Sequence, residues 1–128
     1  MTTLTLDDLR AATARHVPDA ACPCEALRCP GWESLPATFD AAALLERVGS
    51  LRAGDAYDEP TLEEHHPEGT RYDAPEAPVS LAHFPYNRCE LWRCVRCARP
   101  FLRYTEYGGY YVDARIRELD ARRLVDPA

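Results

Sequence analysis

The chain contains no lysine; all fifteen of its permanently cationic side chains are arginine. That bias points to a GC-rich bacterial genome, and reflects codon usage rather than chemistry. No run of eighteen apolar residues occurs, which excludes a membrane-spanning helix. The N-terminus lacks a basic start followed by an apolar block, so no secretory signal is expected. A cytoplasmic address follows, where thiols stay reduced. The six cysteines therefore read as ligands, although their even number also fits disulfides. Neither a glycine-rich phosphate loop nor a GxSxG motif is present, and no catalytic constellation is expected.

At 128 residues the chain is expected to be one domain with a modest core. It divides into a helical part with the first cysteine group (1–54), an acidic, proline-rich loop (55–78), and a β-hairpin knuckle with a C-terminal helix (79–128). The net charge of −6 is unevenly spread. Residues 1–82 hold six arginines and fifteen acids, a balance of −9. Residues 83–128 hold nine arginines and six acids, a balance of +3. The first part opposes non-specific binding of nucleic acid; the second tolerates it.

A helix is expected from Leu6 to Val17. Thr5 caps it, Asp7 and Asp8 suit the positive end of its dipole, and Pro18 ends it. A second helix is expected from Phe39 to Leu51, capped by Thr38, with Leu44, Leu45, Val48 and Leu51 as its apolar stripe. The loop at 55–78 holds eight acids against Arg71 and reads as solvated. Within it, Glu63-Glu64-His65-His66 lacks the i, i+4 geometry of a metal motif. Beyond Val79 the chain is aromatic and β-prone. Strands are expected at Arg88–Cys94, Pro100–Tyr107 and Tyr110–Val112, with a turn at Gly108-Gly109. Asp113 then caps a last helix carrying Ile116, Leu119 and Leu124. The expected fold is α+β: a three-stranded antiparallel sheet with a zinc knuckle, packed against about three helices.

Cys94 and Cys97 sit two residues apart in a turn between strands, a spacing that aims two thiolates at one ion. Cys22, Cys24 and Cys29 lie within eight residues upstream. Cys24 and Cys29 are the expected second pair, with Cys22 as the alternative ligand. Cys89 alternates to the other face of its strand, roughly 16 Å along from Cys94 at about 3.3 Å per residue, and reads as core. His16 and His83 read as packing residues. Cys94, Cys97 and the aromatic Phe101 on the returning strand resemble one knuckle of the zinc-ribbon class. The likeness covers about residues 88–107 and implies a structural zinc ion. It departs at Ala98, where many knuckles have glycine, and in the second pair lying about seventy residues upstream. The spacing of Cys89, Cys94 and Cys97 is similar to that of plant-type ferredoxins. No downstream cysteine follows here, and Glu90-Leu91-Trp92 reads as strand.

Three functional expectations result. The leading one is a non-catalytic, zinc-stabilised protein that binds another macromolecule, with bulk properties compatible with a bacterial immunity or antitoxin-like protein. The alternative is nucleic-acid binding, through Arg93, Arg96, Arg99, Tyr104 and Tyr107 around the knuckle. The third is thiol redox or enzymatic chemistry, in which the flanking arginines would activate Cys94 or Cys97.

Overall fold

A computed structural model of the chain describes residues 3–27, 29–52, 61–71, 73–107 and 110–125. Its frame is one five-stranded sheet, antiparallel throughout, built from β1 (Glu33–Ser34), β2 (Leu45–Ser50), β3 (Glu90–Cys94), β4 (Pro100–Tyr107) and β5 (Val112–Glu118). The strand order is β1-β5-β4-β3-β2. Among the described residues two helices accompany it, α1 (Leu6–Ala14) and the four-residue α2 (Ala41–Leu44). The expected three-stranded sheet on about three helices is therefore corrected, at two places.

The first correction concerns residues 39–51. Only Ala41–Leu44 is helical, with Asp40 accepting from the Ala43 amide as its cap. Leu45 onward is edge strand, paired with β3. A β-bulge falls between Arg47 and Gly49. It inserts one extra residue into the alternation, so apolar positions that imitate helical spacing end up on a strand. Leu45 packs on one face of the sheet and Leu51, beyond the strand's end, on the other.

The second correction concerns residues 113–124. Val112–Glu118 is a strand held on both sides, by β4 and by β1, and only Ala121–Arg123 forms a short 3-10 turn. Ala, Arg, Leu and Glu favour a helix locally, but a central strand position gains two ladders of hydrogen bonds and burial on both faces. Tertiary pairing overrides propensity here. Ile116 and Arg117 are adjacent, buried to 1% and 0% exposure, and face opposite ways.

Other expectations meet the structure directly. Thr5 and Asp8 form a reciprocal capping box at the start of α1. β3 and β4 flank the Cys94–Cys97 turn and pair in register, Leu91 with Leu102 and Trp92 with Phe101. The described parts of 61–78 are irregular. The Gly108-Gly109 turn lies outside the described residues. No helix among the described residues is long and apolar enough to cross a membrane.

Each face of the sheet carries its own apolar cluster. On one, Leu91, Leu102 and Tyr104 meet Leu9 of α1, with Trp32, Leu51, Val79, Tyr86, Cys89 and Leu119. Trp32 sits edge-on to Tyr104 with ring centroids 4.8 Å apart. Each buried leucine of this set contributes about 2 kcal/mol of transfer free energy. Arg117 enters the same face. Its guanidinium donates to the carbonyls of Pro30 (3.1 Å), Pro75 (3.1 Å) and Ala77 (2.8 Å) and to the Tyr86 hydroxyl. It thereby ties two loops to the sheet. Gly31 allows those loops to close, since a Cβ there would fall 2.2 Å from the Asp73 carbonyl oxygen. The other face, over Phe101, Ile116 and Trp92, carries the remaining five cysteines.

Candidate metal centre

Two backbone turns bring the thiols together. The first is the short 3-10 turn Pro23–Leu27, opened by the Glu25 amide donating to the Cys22 carbonyl at 3.0 Å. Proline suits the first position of such a turn because its missing N–H needs no partner there. The turn presents Cys22 and Cys24 to the same side. The second is the knuckle between β3 and β4. Its Ala98 amide donates to the Cys94 carbonyl at 3.0 Å, and the Cys94 amide to the Arg99 carbonyl at 2.9 Å. Neighbouring chain holds the knuckle in place: the Val17 amide reaches the Cys97 carbonyl and the Val95 amide the Leu44 carbonyl, both at 3.0 Å.

Cys22, Cys24, Cys94 and Cys97 thereby converge, all buried, with their four Sγ atoms within 4.8 Å of one another. Cys22 and Cys94 are 3.5 Å apart, sulfur to sulfur, and Cys24 and Cys97 3.3 Å. All six cysteines are free thiols. A tetrahedral ion with sulfur at about 2.3 Å needs sulfurs about 3.8 Å apart. The four thiols match that spacing closely enough that small side-chain rotations would seat an ion. The donor set fits a soft or borderline cation. These four cysteines could hold a metal ion, an arrangement compatible with a zinc-ribbon-like site.

Of the upstream cysteines, the structure joins Cys22 and Cys24 to the knuckle pair and leaves Cys29 beside them. The Cys29 Sγ donates to the Leu27 carbonyl at 3.0 Å, and its own carbonyl accepts from the Glu118 amide at 2.8 Å. Burial pushes its thiol up to about 12. Cys89 lies in the cluster on the opposite face, its Sγ donating to the Pro85 carbonyl at 3.2 Å, and burial holds it well above the ordinary thiol range. The Cys89, Cys94 and Cys97 trio does not converge.

Within the four, burial raises the Cys24 and Cys97 thiols. Burial works against ionisation of Cys94 too, but the Cys97 and Arg96 amides pointing at its sulfur outweigh it and bring it down to about 7. The Arg96 amide lies 3.5 Å from that sulfur. One sulfur is thus prepared as a thiolate, and a cation would displace the protons of the others.

The other residues expected in binding fall into two groups. Arg93 pairs with Glu46. Arg99, only 6% exposed, pairs with Glu25 of the upstream turn and approaches Glu118 of β5 at 3.4 Å. It is a brace between the two cysteine-bearing turns, a role the sequence did not signal. Tyr104 is buried against Trp32. Arg96 and Tyr107 are exposed.

Two predictions arise here. Supplied with zinc, Cys29→Ser is expected to bind it and Cys22→Ser is not; metal analysis of the two purified variants decides between the two possible ligand sets. Ala98 holds φ at +62°, a conformation that costs a non-glycine residue about 1 kcal/mol. Ala98→Gly relieves that strain but frees the unfolded chain, and is expected to raise stability by up to about 1 kcal/mol, read as a higher denaturant midpoint.

Compared with protein-family models, with curated proteins and with solved structures, the chain matches none of them.

Proposed function

We propose that the protein is a non-catalytic scaffold, closed by a structural zinc ion, that works by binding another macromolecule. The observation that carries this reading is the buried group of four sulfurs within 4.8 Å. Thiolates in a tetrahedral set select zinc or iron–sulfur chemistry over harder ions. A zinc ion with four thiolate ligands has no open position, so it cannot bind and activate water. Its contribution is to the fold: it joins the upstream turn, which has little regular structure of its own, to the sheet.

The thiol redox alternative draws support from Cys94, whose pKa near 7 suits a nucleophile. Against it, Cys94 is 2% exposed and surrounded by three other sulfurs, which favours holding an ion over attacking a substrate.

Elemental analysis of protein purified without chelator tests the reading. Near one zinc per chain, with four thiols protected from alkylation, is the expected result. A brown, iron-containing protein would replace zinc with a cluster. Six freely reactive thiols and no metal would remove the reading and return Cys94 to the redox candidates.

A further inference from the structure

Every sulfur of the four-cysteine cluster has a facing sulfur on the other turn. Cys22 lies 3.5 Å from Cys94, and Cys24 lies 3.3 Å from Cys97. Both contacts run between the upstream turn and the knuckle. The sulfurs of a disulfide are about 2.05 Å apart, so bonding either pair asks for about 1.4 Å of approach. Bonds formed there would span the same junction as a bound ion.

The junction also has ties that need no ion. Arg99 pairs with Glu25 of the upstream turn and approaches Glu118 of β5. The Cys29 carbonyl accepts from the Glu118 amide at 2.8 Å, and the Cys97 carbonyl from the Val17 amide at 3.0 Å. None of these contacts uses a sulfur, so oxidation of the thiols leaves them in place. The two other cysteines stand apart from the cluster. Cys89 is on the opposite face, and the Cys29 thiol donates to the Leu27 carbonyl.

We propose that the four sulfurs form a redox-exchangeable clamp: a hydroperoxide converts them into two disulfides, Cys22–Cys94 and Cys24–Cys97, and releases the zinc ion without opening the fold. The proposal rests on the reading of the cluster as a zinc site, and adds its regulation. In each pair one thiolate attacks a peroxide oxygen. The S–O bond forms as the O–O bond breaks, and hydroxide leaves. The facing thiolate then attacks that sulfenic sulfur. The S–S bond forms, the S–O bond breaks, and a second hydroxide leaves. Each sulfur pair loses two electrons and each peroxide gains two, so two peroxides convert the whole set. Metal ligation needs thiolates, and a disulfide has none, so the cation is released. Cys97 is 6% exposed, against 2% or less for the other three, and is the point of entry; Cys24–Cys97 therefore forms first.

The test is titration of the zinc-loaded full chain with hydrogen peroxide, read by zinc release, by mass mapping of disulfides after alkylation, and by circular dichroism during heating. Zinc release is expected to be complete at about two equivalents of peroxide per chain. The mapped bonds should be Cys22–Cys94 and Cys24–Cys97, with Cys29 and Cys89 recovered as alkylated thiols. The oxidised, zinc-free chain should keep a cooperative melting transition, and lose it when reductant and chelator are added together. Cys29→Ser should give the same two disulfides. The proposal is overturned if peroxide leaves the zinc in place, if the bonds form within a turn (Cys22–Cys24 or Cys94–Cys97), if sulfinic or sulfonic acids form instead, or if zinc release abolishes the transition. Zinc is measured before peroxide is added. A chain without zinc defeats the zinc reading and this proposal together; a zinc-loaded chain that gives any overturning result defeats this proposal alone.

Discussion

On the proposed reading of the four sulfurs as a structural zinc site, chelation is expected to unfold the protein. Structural zinc sites contribute about 10–16 kcal/mol at neutral pH in small metal-dependent domains, and whole domains are stable by only about 5–15 kcal/mol. In this chain the four sulfurs join a segment without long elements to one face of the sheet, and Leu27, Leu45, Phe101 and Ile116 pack around that junction. Without an ion, four polarisable thiols are left face to face in the core, and Cys94 titrates near neutrality among them. Circular dichroism during heating, with and without a strong chelator, checks this. The cooperative transition should be lost or fall by tens of degrees, and Cys94→Ser and Cys97→Ser should reproduce the loss. Cys89→Ser, on the other face, should cost only about 1–2 kcal/mol, since it places a hydroxyl where a small apolar group packed. Equal melting with and without chelator would show that the cluster is merely packed thiols.

The second large effect belongs to Arg117. Its side chain is fully buried, and no carboxylate among the described residues is paired with it. Four oxygens solvate it instead: three loop carbonyls and the Tyr86 hydroxyl. Arg117→Met fills nearly the same volume and removes the charge, but strands four acceptors or donors in a dry environment. Breaking such a set costs about 3–5 kcal/mol. For a chain of this length that is a fall in melting temperature of about 15 °C. Arg117→Lys should recover part of the loss, because one ammonium reaches some of the oxygens but cannot match a planar fork. Any metal held by Cys22, Cys24, Cys94 and Cys97 should stay in both variants, since those four and Arg117 lie on opposite faces. A wild-type melting curve for Arg117→Met would refute the assignment of Arg117 as the tie between the loops and the sheet.

The residues that could be read from sequence are those whose partners are close along the chain. The capping box of Thr5 with Asp8 is local, and so is the strand–knuckle–strand unit around Cys94 and Cys97. What escaped depends on distant partners. Leu45, Val48 and Leu51 repeat at near-helical spacing because a bulge shifts the alternation, and nothing local marks a bulge. Residues 113–124 carry helix-favouring side chains, yet the strand pairs with β4 on one side and, 81 to 83 residues back, with Glu33–Ser34 on the other. Arg117 was invisible for the same reason: its acceptors lie 31 to 87 residues back. At the metal centre the ambiguity among Cys22, Cys24 and Cys29 was one of turn geometry. Proline between Cys22 and Cys24, opening a tight turn, was the available signal.

The span between the two cysteine pairs sets the order of events during synthesis. Cys22 meets Cys94 across 72 residues and Cys24 meets Cys97 across 73. Joining such distant points by a cross-link removes about 4 kcal/mol of chain entropy from the unfolded state. It also means that no ribosome-bound fragment ending before residue 97 can assemble the full set of sulfurs. The first pair emerges long before its counterpart, beside a third thiol at Cys29. β5 and Arg117 follow the knuckle out of the exit tunnel. Convergence of the four sulfurs and burial of Arg117 therefore both await residues 94–117.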